Sequence, residues 1–189
     1  MTASMNRRRQ VEGVFYLLSY ILSIPVANWM LGHVGTACPP HSPCLIPVAP
    51  GIMAPSGVVM VGLALVLRDL VQRRLGLVWS IVAILLGGAL SWLIAPPALV
   101  VASVAAFLIS EFTDLAVYTP LQRRRLVLAV VASGFVGLLF DSLVFLQLAF
   151  GSLDYLGGQV IGKGWMVLLS IPVIAWLRRR DERLGLVPA

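Results

Sequence analysis

Phe107, Glu111, Asp114 and Tyr118 follow one another at intervals of four, three and four residues inside an apolar stretch, so on a helix they share one face. Two carboxylates on such a face can accept hydrogen bonds, pair with a cation or relay protons, and the rings beside them can stack on a flat molecule. A second pair of opposite charge lies further on, at Asp141 and at Lys163, the only lysine of the chain. No hydrolase nucleophile motif, phosphate-binding glycine loop or paired-histidine metalloprotease helix is present. Binding and passage are therefore the expected chemistry, with no catalytic residue, no cofactor and no metal.

The elements that carry these groups are membrane elements. With 59% apolar residues, 12% charged residues and a mean hydropathy of +0.95, 189 residues are too apolar for a soluble domain. A carboxylate near the middle of a bilayer costs about 2.5 to 3.5 kcal/mol on insertion scales, so Glu111 and Asp114 must face a cavity or a bundle interior. The net charge of +6 does not point to nucleic acid, because the arginines come in short blocks that each abut an apolar run. Such blocks hold loops on the cytoplasmic side.

Six apolar runs predict six transmembrane helices in one all-α bundle and one domain, 1–189, with spans near 11–31, 51–67, 75–94, 98–118, 126–150 and 158–177. The arginines at 7 to 9, at 68, 73 and 74, at 123 to 125, and at 178 to 180 and 183 all fall on one side of this arrangement, which predicts cytoplasmic N and C termini. Pro25 and Asn28 interrupt the first span. That run is long enough to cross and shows no small-residue cleavage site, so it is read as a retained helix rather than a signal peptide.

A rise of 1.5 Å per residue sorts the polar residues into two layers. Arg68, Asp69, Glu111 and Asp114 form an inner layer, readable either as a structural clamp between spans two and four or as part of a polar site. Asp141, roughly 22 Å above the inner end of span five, and Lys163, roughly 8 Å below the outer end of span six, come to a similar depth across a core of ~30 Å. Asn28 falls in this outer half, and Gln159 lies one turn from Lys163 on the same face. A self-neutralising ion pair and a functional pair are both open readings of Asp141 and Lys163. Ser133, Gly137 and Asp141 in span five, and Gly158 and Gly162 in span six, recur every four residues as close packing requires. These rows also permit a homodimer. Cys38 and Cys44 share one outer loop with His33 and His41, which leaves a disulfide, free thiols or a soft-metal site as alternatives.

The same positions carry a family resemblance. Asn28; Pro55 and Asp69; Glu111, Phe112, Thr113 and Asp114; Ser133, Gly137, Asp141, Ser142 and Phe145; and Lys163 followed by Pro172 occur in the order in which they stand in the bacterial queuosine-precursor transporters, the vitamin-uptake-transporter family. The chain resembles that family across nearly all of its apolar region. It departs at Glu111, where members often carry Gln, at Leu138, often Asn, at Gln159, often Asp, and at Arg68, commonly a small polar residue. The resemblance implies a multi-pass protein of the bacterial inner membrane, with a six-helix layout similar to the substrate-binding subunits of vitamin importers.

It further implies uptake of 7-cyano- or 7-aminomethyl-7-deazaguanine. A guanine-like edge offers adjacent N–H donors that a carboxylate accepts in pairs. The substrate-binding candidates are Asn28, Phe107, Glu111, Asp114, Asp141, Phe145, Gln159 and Lys163. Glu111 and Asp141 would take the donor edge, Asn28, Gln159 and Lys163 the ligand's acceptors, and Phe107 and Phe145 the ring faces. Import of another flat heterocycle or vitamin, and a non-transporting membrane scaffold, are the alternatives.

Overall fold

The computed structural model describes residues 3–39 and 43–185. They form α1 (Ala3–His33), β1 (Leu45–Ala49), β2 (Ile52–Pro55), α2 (Val58–Leu75), α3 (Leu77–Ile94), α4 (Val100–Leu121), α5 (Leu126–Phe150) and α6 (Leu156–Leu184), with a single 3-10 turn at Pro97–Leu99 ahead of α4. Five of the six helices, all except α2, are long and apolar enough to cross a membrane.

The second run differs most from its expected form. Its first residues, Ile52–Pro55, pair antiparallel with Leu45–Ala49 in a small hairpin, so the chain is not purely helical. The helix proper starts at Val58 and runs on through Arg68 and Asp69, expected in the inner polar layer, to Arg73 and Arg74, which lie past the expected end of the span at residue 67 in a block expected at the cytoplasmic surface. Those side chains lie inside the bundle, and twelve of the eighteen α2 residues are buried. The physical reason is position. α2 packs against α1, α3, α5 and α6, and neighbours that shield it from lipid let it carry charge that a lipid-facing helix could not. Smaller shifts occur elsewhere: α1 runs unbroken through Pro25 and Asn28, α6 continues to Leu184, and α3 starts at Leu77. Span five has the expected bounds.

Between α2 and α3 there is only Gly76, at φ 94°, whose N–H donates to the Gln72 carbonyl at 2.9 Å. A residue with a Cβ would be strained there, which accounts for a glycine at the sharpest reversal in the chain. One end of the bundle thus holds the hairpin, and the other holds both terminal regions and the arginine blocks. At the hairpin end Cys38 and Cys44 form a disulfide, and no free cysteine is present among the described residues. The disulfide reading is therefore the one realised. His33 stacks on Trp29 and contacts its carbonyl oxygen, and His41 lies outside the described residues.

At the terminal end the helices are clamped by charge. Arg73 donates through Nε and Nη2 to Asp181 Oδ2 at 2.9 and 2.8 Å, and Arg74 donates through Nη1 and Nη2 to both Asp181 oxygens. Arg74 Nε also lies 2.9 Å from Glu12 Oε2, which accepts from Arg180 at 2.6 Å. α1, α2 and α6 are joined at one node. The partners of Arg73 and Arg74 thus come from α1 and α6, contacts that the sequence does not lead one to expect.

Candidate functional site

Three helices build the lower polar layer around Arg68 of α2. Its guanidinium reaches Asp69 Oδ1 at 2.8 Å, pairs closely with Asp114 of α4, donates to Gln72 Oε1 at 3.2 Å, and lies over the Tyr118 ring with its carbon 5.5 Å from the centroid. Glu111 sits one turn from Asp114, 3.3 Å from Arg68 Nε, a charge contact without hydrogen-bond alignment. α5 completes the layer: Ser133 Oγ donates to Asp69 Oδ2 at 3.1 Å, and Gly137 allows Asp114 to approach, since a Cβ there would be 3.1 Å from its Oδ2. Arg68, Asp69 and Asp114 are fully buried.

The upper layer centres on Lys163 of α6. Its ammonium donates to Asp141 Oδ2 at 2.5 Å, to Ser142 Oγ at 2.8 Å and to Gln159 Oε1 one turn back. An ammonium has three N–H donors, so all of them are engaged. Lys163 accordingly holds Asp141 and Gln159 in place and has no donor left over, although the sequence reading had it facing a ligand. Gly62 of α2 makes room for this arrangement by packing on the Lys163 backbone.

Residues of both layers, together with Leu31, Pro55 and Gly57 toward the hairpin, line a cavity of about 110 Å³. One water needs only about 10–15 Å³, so there is room for a small organic molecule. Seven of the eight expected site residues line it: Asn28, Phe107, Glu111, Asp141, Phe145, Gln159 and Lys163. Asp114 does not. It lies behind Glu111, on Arg68. Arg68 and Asp69 belong to that same buried cluster, as a structural clamp between α2 and α4 would require.

Other wall residues were not singled out from sequence: Ser23 on α1, Ser91 on α3, and Ser103 and Ser110 on α4. Ser23 and Ser110 donate to carbonyls on their own helices at 2.6 and 3.0 Å, which any serine in an apolar helix can do. Their one available signal was shared face: Ser103, Phe107, Ser110 and Glu111 are spaced as helical neighbours. Tyr20 of α1, fully buried and beside Glu111, was missed because nothing in the spacing of its own run links it to a carboxylate some ninety residues away.

A multi-pass helical membrane protein with a cavity between its helices, apolar over most of its wall and carrying a few charged and amide groups, is the class that this fold and site define. A family model described as "Putative vitamin uptake transporter" matches residues 58–177, more than half of the chain, which therefore belongs to the vitamin uptake transporter family. The matched region takes in every expected site residue except Asn28, and leaves out the α1 residues Tyr20 and Ser23. No curated protein and no solved structure matches the chain.

Proposed function

We propose that this protein imports a planar, purine-like base, a queuosine precursor such as 7-cyano- or 7-aminomethyl-7-deazaguanine, across the bacterial inner membrane. The observation that carries the reading is the makeup of the cavity wall: two carboxylates, Glu111 and Asp141, two amides, Asn28 and Gln159, and two rings, Phe107 and Phe145. A fused heterocycle with adjacent N–H donors on one edge and acceptors on another needs such a set. Asp141, fixed by Lys163, accepts from the donor edge and Glu111 from a second N–H. Gln159, whose oxygen is taken by Lys163, turns its amide N–H groups to the ligand's acceptors.

In this reading all six helices cross the bilayer and both termini are cytoplasmic. The support is the set of thirteen arginines at the terminal end or within the α2 cluster, and the disulfide at the other end, where an oxidising space would keep it. Exposed Trp29 and Trp92 near the hairpin end, and Trp79 and Trp176 near the other, suit interfacial belts. The test is accumulation of labelled 7-deazaguanine base by cells that lack their own uptake and synthesis. Uptake above that of vector-only cells supports the reading, and uptake equal to theirs refutes it. The family's description favours a second reading, import of another flat vitamin or heterocycle. Competition by a panel of unlabelled bases and vitamins separates the two.

A further inference from the structure

The cavity and the cluster beneath it hold four carboxylates, Asp69, Glu111, Asp114 and Asp141, against two cations, Arg68 and Lys163. Lys163 is matched by Asp141. Arg68 is already engaged by Asp69 and Asp114, so Glu111 is a third carboxylate on a guanidinium that two others neutralise. It is also the member of the cluster that reaches the cavity wall. Its Oε2 has no aligned hydrogen-bond donor, and neither has Oδ2 of Asp114, although both side chains are at least 99% buried. Uncompensated charge on side chains so deeply buried requires a further positive charge.

The groups that face Glu111 are Tyr20 from α1, Arg68 from α2, Asp114 from its own helix, Asp141 from α5 and, through Asp141, Lys163 from α6; α3 offers only Ser91 on the wall. The hydroxyl of Tyr20 is buried beside Glu111 and likewise lacks an aligned partner. Among the described residues no group of carboxylates, histidines or cysteines is arranged to hold a metal ion. The smallest cation that the site can take is a proton.

We propose that Glu111 is the proton-binding site that couples import to a proton gradient, one proton entering on its carboxylate with each molecule of base and leaving on the cytoplasmic side. This rests on the import reading above. No covalent bond to the base forms or breaks; the proton binds a carboxylate oxygen and is released from it.

The experiment uses purified full-length protein in liposomes with the membrane potential clamped at zero, labelled 7-cyano-7-deazaguanine and imposed pH differences. One proton per neutral base sets an accumulation limit of about tenfold per pH unit, since each unit is worth about 1.4 kcal/mol. Accumulation that follows this slope and is lost in Glu111→Gln, but kept in Glu111→Asp, is the expected result. Equilibration of the base without accumulation at any pH difference overturns the coupling and leaves the import reading standing, as does accumulation that follows sodium instead. No equilibration beyond protein-free liposomes overturns the import reading and the coupling with it. Infrared spectra of the substrate-free protein supply a readout that needs no transport. The carbonyl stretch of a protonated carboxylic acid is expected in the wild type and absent in Glu111→Gln, and an unchanged band in that variant places the proton elsewhere and contradicts the proposal.

Discussion

Gly62 packs directly on the backbone of Lys163: a Cβ built at position 62 would stand 2.6 Å from the Lys163 carbonyl oxygen and 2.9 Å from its Cα. Helix backbone cannot give way as a flexible side-chain tip can, so α2 and α6 must separate to admit even a methyl group. Gly62→Ala is expected to destabilise the protein by about 1–3 kcal/mol. Thermal unfolding in detergent measures this, and uptake should fall in parallel because Lys163 then carries Asp141 and Gln159 out of register.

Asp141 and Lys163 can be tested as a pair. Removing one partner leaves a buried charge alone, so Lys163→Met should cost roughly 3–5 kcal/mol. The double variant, Asp141→Asn with Lys163→Met, has no orphaned charge and should recover most of that stability. Uptake should remain abolished, since the carboxylate proposed to accept from the base is gone. Recovery of both stability and uptake would reduce the pair to a structural lock.

Among the described residues Arg68 is the one cation paired with Asp69, Glu111 and Asp114. Arg68→Gln should therefore lower the amount of folded protein in the membrane more than any single carboxylate-to-amide change in the cluster, by at least ~3 kcal/mol of stability. Fluorescence size-exclusion profiles of the four variants would rank them. A profile for Arg68→Gln equal to that of wild type would contradict the clamp.

These charges also show what could be read from the chain alone. The face formed by Phe107, Glu111, Asp114 and Tyr118 was legible, because carboxylates in an apolar helix must turn inward. So was the depth match between Asp141 and Lys163, which follows from helix rise. α2 was not legible as it stands. Arg68 and Asp69 were legible as part of an inner polar layer, but the block that ends in Arg73 and Arg74 has the composition of a surface loop, and only tertiary shielding by neighbouring helices with the acids Glu12, Asp114 and Asp181 makes it a buried helix. Those partners are 46 to 108 residues away in sequence along the hydrogen-bonded pairs from Arg68 to Asp114 and from Arg73 to Asp181, beyond the reach of any local pattern. The hairpin at Leu45–Pro55 was hidden for a related reason: four of its eleven residues are turn or proline positions, and it is held by Trp165 of α6, which donates to the Val48 carbonyl at 2.9 Å.

The disulfide gives the orientation an independent check. In intact cells a membrane-impermeant maleimide should label Cys38 and Cys44 only after reductant is added, because both thiols are consumed in the bond and, in the proposed orientation, the hairpin end faces outward. Labelling that requires broken cells would reverse the topology. Loss of the bond in Cys38→Ser should cost about 2 kcal/mol, given the short loop it closes.

The central claim is that the cavity between Glu111 and Asp141 receives a planar nitrogenous base. Binding to purified protein tests it without reference to energy coupling: a ligand that binds only the folded state stabilises it by about 2.7 kcal/mol at a concentration one hundred times its Kd. The account predicts a concentration-dependent rise in unfolding temperature with 7-deazaguanine bases, none with a sugar or an amino acid of similar size, and loss of the rise in Asp141→Asn. An unchanged unfolding temperature across the whole panel of bases and flat vitamins, for wild-type protein that is folded and monodisperse, would contradict it.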